Sequence, residues 1–125
     1  MEDKKKILVF IDWYVPGFKA GGPIQSVYNI VGALKEHYHF YIITSAYDLG
    51  EMEPYEGLNL NQWADENGVL IKYLDREHIK SSVIKNNVDE VQPDMLYVNG
   101  IFSRYFSILP IQIGKSKNIK TIVAP

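Results

Sequence analysis

The residues that most constrain this chain are Ile7-Leu8-Val9-Phe10-Ile11, an apolar run with no alternation of inward and outward positions. A strand that is apolar at every position is buried on both faces, which is the situation at the centre of a parallel sheet. The loop that follows reads Asp12-Trp13-Tyr14-Val15-Pro16-Gly17-Phe18-Lys19-Ala20-Gly21-Gly22, and Pro23 opens a helix, where its missing N–H loses no hydrogen bond. Ile24, Val27, Tyr28, Val31 and Leu34 recur at a spacing that predicts one buried stripe. Gly21 and Gly22 place no Cβ over the first amides of that helix. With the positive end of the helix dipole, those amides form a candidate seat for phosphate or carboxylate. Gly32 reads either as a close approach to the sheet or as a simple loss of helix stability.

Downstream, Phe40–Thr44 predicts a second strand. From Ala46 to Gly68 the pattern stops. Asp48, Glu51, Glu53 and Glu56 predict solvent exposure there, Tyr55 and Trp63 predict a loop folded back on the body, and Leu60–Asp65 predicts a short helix. Loops this long inside a domain are usually functional or disordered. Val69–Leu74 is a third strand, more polar and nearer a sheet edge, and Ile79, Val83, Val88 and Val91 mark a helix that ends before Pro93. Met95–Val98 forms a fourth strand closing on Asn99-Gly100. Ser103 caps a third helix carrying Phe106, Leu109 and Ile113, with Pro110 kinking it or shifting its start, and Thr121–Val123 begins a fifth strand. A sixth element is expected after Pro125. Strand and helix patterns alternate, so the expected class is α/β, a Rossmann-like parallel sheet with helices on both faces and strand order 3-2-1-4-5. In that order ligands meet the carboxyl ends of the strands, here Asp12–Gly22, Thr44–Asp48, Asn99–Ser103 and Pro125.

Composition narrows the chemistry. A chain of 125 residues suits one domain with a proper core. Its net charge of −2 argues against nucleic acid, which needs a basic face. The absence of cysteine removes disulfides, thiolate nucleophiles and cysteine-ligated zinc, and fits a reducing cytoplasm. The charged stretch Met1–Lys6 precedes an apolar run too short for a secretory leader, and no stretch approaches the ~20 apolar residues of a membrane span. The reading is cytoplasmic, with peripheral contact at the inner membrane face left open. His37, His39 and His78 form no set with metal-ligand spacing, so no metal site is assigned. No nucleophile–base–orienter set is recognisable either, and no catalytic residue is assigned.

The glycine loop is the leading candidate for ligand contact, yet it is not G-x-G-x-x-G. Its glycines stand far from the strand end, whereas a dinucleotide pyrophosphate turn needs a tight corner. Lys19 could add a phosphate contact or be merely solvated. Asp12, ending the central strand, orients a ligand hydroxyl, accepts a proton, or serves as a turn residue. Asn99-Gly100 either presents a side-chain and a backbone amide to a ligand or marks a plain turn. Trp13, Tyr14, Tyr47, Tyr55 and Trp63 are expected in strand-end loops, where their faces suit sugar or base stacking and some of them pack a lid.

Taken in order, Lys6-Ile7-Leu8-Val9-Phe10, Tyr14-Val15-Pro16 and Gly21-Gly22-Pro23-Ile24-Gln25-Ser26-Val27 resemble the opening of family 4 glycosyltransferases. Pro93-Asp94-Met95-Leu96-Tyr97-Val98-Asn99-Gly100-Ile101-Phe102-Ser103 is similar to that family's fourth strand and turn, and Ile122-Val123-Ala124-Pro125 to the strand leading into its Ala-Pro-Arg-Gly segment. The resemblance covers essentially the whole chain. It implies that residues 1–125 are the N-terminal, acceptor-side Rossmann-like domain of a GT-B enzyme whose C-terminal donor domain is absent. It implies hexosyl transfer from a nucleotide-sugar to a glycan or lipid-linked acceptor in surface polysaccharide synthesis, with no metal cofactor. Gly21, Gly22 and Lys19 would meet the donor phosphate or sugar, and Asp12, Asn99, Gly100 and Ser103 the acceptor or sugar. Many relatives carry a histidine where this chain has Asn99. The domain alone is expected to be catalytically silent. The alternatives are a stand-alone anion- or nucleotide-binding module without catalysis and, less well matched, a nicotinamide-dependent oxidoreductase.

Overall fold

The apolar run near the N-terminus is the centre of the molecule. The structure, a computed structural model, describes residues 4–125, so the first residues of the charged stretch, Met1–Asp3, lie outside it. β1 (Lys5–Phe10) leads into α1 (Gly22–Leu34), β2 (Tyr38–Ser45), β3 (Trp63–Glu66), β4 (Val69–Leu74), α2 (Ser81–Val91), β5 (Met95–Asn99), α3 (Leu109–Ser116) and β6 (Lys120–Ala124). One six-stranded sheet has the order β3-β4-β2-β1-β5-β6. All neighbours are parallel except β3, which runs antiparallel to β4. Without β3 this is the expected order, and the α/β Rossmann-like class holds.

Alternate residues of β1 serve opposite faces. Ile7, Val9 and Ile11 pack under α1 with Phe40, Ile42, Val69 and Ile71, while Leu8 and Phe10 pack with Ile84, Val88, Leu96, Phe106 and Ile113 beneath α2 and α3. Helices therefore cover both faces, which is why β1 could be apolar throughout.

Leu60–Asp65 is not a helix. Trp63–Glu66 forms the edge strand β3, paired through Glu66↔Val69 across a two-residue turn. The turn is Asn67-Gly68, with φ of 54° and 88°, and Asn-Gly is the sequence that a tight hairpin of this kind selects. That signal is present in the chain and outweighs the weak helical pattern before it. β4 consequently lies one strand in from the edge.

On α1 the buried stripe is Ile24, Val27 and Val31, while Tyr28 and Leu34 are 49% and 38% exposed. Gly32 makes no close approach: a Cβ there would have no neighbour within 4 Å among the described residues. The glycine of close approach is Gly114 in α3, whose Cβ would collide with Thr121 Oγ1 and lie 3.0 Å from Leu96 Cδ1. Gly32→Ala is therefore expected to raise stability by roughly 0.5–1 kcal/mol, the helix-propensity difference, read as a higher urea midpoint with an unchanged slope.

Ser103 caps as expected, its Oγ accepting from Phe106 N at 3.3 Å. A π-helical turn, Arg104–Ile108, then precedes α3, with Pro110 in the first turn of the α-helix proper. Pro110 shifts the helix start, since it has no N–H to close a regular turn. Asn118, at φ 57°, ends the helical segment. No helix among the described residues is long and apolar enough to cross a membrane.

Candidate functional site

Chain connections leave β1 and β5 toward opposite faces of the sheet, and a crevice opens between their carboxyl ends. This cleft, of about 450 Å³, is lined by Asp12, Trp13, Lys19, Ala20 and Pro23 from the first loop, Leu49 from the segment after β2, Asn99–Phe102 after β5, and Pro125. Three of the loops expected to carry ligand contacts thus converge.

Asp12 is half-buried beneath the cleft. Burial pushes its carboxyl above the ordinary value, and the Ser103 hydroxyl and its own backbone amide pull the other way without cancelling the rise. Ser107, wholly buried on the π-helical turn, lies beside it, and its Oγ has no hydrogen-bond partner among the described residues. Gly100 makes room for both groups. At φ 105°, a Cβ there would sit 3.3 Å from Ser107 Oγ and 3.9 Å from Asp12 Oδ1, so glycine meets a steric and a conformational demand at once. The Gly100 amide donates to Ala124 O at 2.7 Å and is thus tied into the sheet. Both members of the predicted Asn99-Gly100 pair line the cleft, but the Gly100 amide is already engaged. Ser103 caps its helix next to Asp12 without lining the cleft.

The glycine corner is barer of side chains than of hydrogen bonds. Gly21 and Gly22 are exposed, and a Cβ on either would meet nothing within 4 Å. Yet Gly21 N donates to Phe18 O at 3.0 Å, Ile24 N to Gly21 O at 3.1 Å and Gln25 N to the same oxygen at 3.5 Å. Pro23 has no N–H, so among the described residues Gly22 N is the first-turn amide left over. One free amide replaces the expected run of them. Ala20 and Pro23, on either side of the two glycines in sequence, line the cleft, and Gly21 and Gly22 themselves do not. Lys19 reaches the cleft but is ion-paired with Glu51, which compensates its charge before any phosphate arrives.

Asp48 organises this loop; Glu51, Glu53 and Glu56 are exposed as the sequence predicts, but Asp48 is buried against that expectation. It is 7% exposed and accepts from Phe18 N and Lys19 N, each at 3.2 Å, and from Leu49 N at 2.8 Å. The Tyr55 hydroxyl donates to Tyr14 O at 3.2 Å, fastening the same two segments. The long connection after β2 is thus a strap that braces the first loop. Nothing in local spacing announces this, because the partners lie on separate segments of the chain.

The aromatic cluster disperses. Trp13 lines the cleft, whereas Tyr14 is 2% exposed, Arg76 covers the Tyr47 ring at 4.4 Å, and Tyr55 packs edge-on against Tyr73. Trp63 lies on β3, stacked edge-on against Tyr41 at 5.4 Å with its indole N–H donating to Glu90 at 2.8 Å. Of these five aromatic residues, Trp13 is the one that lines the cleft, where Phe102 joins it. Asp75, a further strand-end carboxylate, is held below its usual range by the Asn61 amide first and then by His78, and caps the short turn Arg76–His78. Among the described residues no group of three or more His, Asp or Glu could hold a metal ion.

The arrangement can orient hydroxyls through Asp12 and Asn99, stack a ring on Trp13 and donate one amide to an anion. Among the described residues it lacks the cations needed to neutralise a diphosphate. No family model, curated protein or solved structure matches this chain.

Proposed function

We propose that residues 1–125 form the acceptor-side lobe of a nucleotide-sugar-dependent glycosyltransferase of GT-B architecture, acting on a glycan or lipid-linked acceptor at the cytoplasmic side. The observation that carries the reading is the half-built cleft at the sheet's switch point. A half-buried carboxylate and an open glycine corner accompany a rim of exposed apolar side chains that line the cleft, Leu49 at 41%, Ile101 at 46% and Phe102 at 88%. Such a rim fits a surface that a second lobe closes, and closure excludes water and concentrates donors around a departing diphosphate. In this reading Asp12 and Asn99 hold hydroxyls of the acceptor or the transferred sugar, Ser103 supports Asp12, and Gly22 N faces the donor. The residues of the second lobe supply the positive charge. The nucleotide-sugar is substrate rather than cofactor, and no metal is required. A self-sufficient anion-binding module draws little support from a single free amide and a lysine already paired.

The test is transfer by the full-length product of the reading frame, using a panel of labelled nucleotide-sugars and lipid-linked or oligosaccharide acceptors. One donor is expected to give turnover. Gly22→Trp, whose Cβ would meet no neighbour within 4 Å, is expected to reduce transfer at least about a hundredfold, or roughly 2.7 kcal/mol of barrier, with an unchanged unfolding midpoint. A frame that encodes no second α/β lobe, or full activity in Gly22→Trp, would overturn the reading.

A further inference from the structure

A second concavity lies on the α1 face of the sheet, away from the cleft. It is about 400 Å³ in volume. One wall is a single flank of α1, made of Tyr28, Val31 and Gly32, with Lys35 just past its end; the floor is Val69, Ile71 and Tyr73 of β4. Tyr14, Val15, Pro16 and Leu58 close one end, and Glu66 and Asn67 of the hairpin flank the other. The first loop separates the two sites, with Trp13, Lys19 and Ala20 facing the cleft and Tyr14, Val15 and Pro16 facing the groove.

The groove exists because of how β2 is joined to β4. Parallel neighbours are usually linked by a helix packed on the sheet. Here the link is the strap and the edge strand β3, so among the described residues no helix covers β4 on this face. Gly32 then makes the space deeper. A glycine within a helix costs roughly 0.5–1 kcal/mol relative to alanine, and no described protein atom uses the room it leaves. Tyr14 adds an unmatched hydroxyl: it is 2% exposed, lines the groove, and has no side-chain hydrogen bond among the described residues.

Size and chemistry narrow the occupant. A helix, ~10–12 Å across, is too large for this volume, which is that of a small-molecule site. A peptide strand would need free backbone groups, and the floor strand is paired on both edges. A sugar or nucleotide would need several convergent free polar groups, whereas the Tyr73 hydroxyl already donates to Val15 O, Lys35 Nζ donates to Asn67 O, and Tyr28, Glu66 and Asn67 are exposed; among the buried lining residues described, the Tyr14 hydroxyl is the free polar group. The floor from Val69 to Tyr73 is an elongated track of roughly 13 Å. Lys35 and Glu66 stand on the lip with opposite charges, so the entrance favours neither sign. We infer that this groove binds a single neutral hydrocarbon chain, alkyl or isoprenyl, lying between the Gly32 backbone and β4, with its polar end in reach of the Tyr14 hydroxyl.

Calorimetric titration and NMR with geraniol and decanol test this, with indole as a flat-ring control, and neither uses sugar transfer. Micromolar binding of either chain is expected, with intermolecular NOEs to Val69, Ile71 and Tyr73, and the better of the two identifies a branched isoprenyl or a straight alkyl occupant. Gly32→Leu, whose Cβ has no neighbour within 4 Å, is expected to fold with an unfolding midpoint at or above that of wild type and to bind the chain at least tenfold more weakly. No binding of either chain at millimolar concentration, NOEs elsewhere, tighter binding of indole, or equal affinity in folded Gly32→Leu would overturn the assignment.

Discussion

Asp48→Ala is expected to lower stability at pH 7 by roughly 2 kcal/mol and to loosen the loop that forms one wall of the cleft. The substitution strips the acceptor from the Phe18, Lys19 and Leu49 amides and removes a charge facing Lys19. Burial pushes the Asp48 carboxyl upward, but those three amides and the Lys19 charge together outweigh it and hold the group below the ordinary value. The sign follows from linkage. A carboxyl with a depressed folded pKa contributes stability that is present above its unfolded pKa, near 3.9, and lost as pH falls through the lower folded value. The gap between wild type and Asp48→Asn should thus be full at pH 7 and close progressively below about pH 4. Asp75, depressed by Asn61 and then His78, adds acid sensitivity to both proteins equally, so the difference isolates Asp48. Urea unfolding from pH 7 to pH 3 measures it. Amide exchange at Phe18 and Lys19 should quicken in the variant, and a gap that does not change with pH would refute the anchoring role.

Asp12→Asn is expected to have opposite effects on fold and function. Burial raises the Asp12 carboxyl above its ordinary value, so ionisation at neutral pH works against the folded state. A raised carboxyl pKa makes the folded protein more stable when that group is protonated, and the contribution is lost as pH rises through the folded value. The substituted amide carries no charge, so the variant should unfold at a higher midpoint than wild type at pH 7 and at a similar one at pH 3. On the proposed reading the same change removes a charged acceptor for a substrate hydroxyl. Transfer by the full-length enzyme should then fall by roughly tenfold to a hundredfold in kcat/KM. Wild-type activity in this variant would remove Asp12 from the proposed site, and a lowered midpoint at pH 7 would contradict the account of its burial. A group that strains the fold while lining a cleft is the usual trade of stability for function.

Most of the architecture is legible in the chain because it is written in local periods. The apolar run at Ile7–Ile11, the stripe of α1 and the breaks at Pro93 and Pro110 locate elements through interactions within a few residues. Expectation and structure part where two local signals compete or where the partner is remote. Asn67-Gly68 specifies a hairpin that makes β3 of residues with a helical pattern. Close packing, one of the two roles open to Gly32, falls instead to Gly114, because Thr121 and Leu96 come against α3 only once β6 is laid down.

For the candidate site the division is sharper. Asp12, Asn99, Gly100 and the Gly21-Gly22 corner can be named from sequence, because a parallel sheet delivers its strand ends to one edge. Their working condition cannot. Lys19 is compensated by Glu51, the amides of Gly21, Ile24 and Gln25 are taken up locally, and Asp48 grips Phe18 and Lys19 across separations of 30 and 29 residues. Sequence alone determined which residues stand at the mouth of the sheet, since strand and helix periods follow from neighbours along the chain. Only the tertiary structure decided which of their charges and amides remain free, because pairing depends on groups that meet solely after the strap has folded back over the first loop.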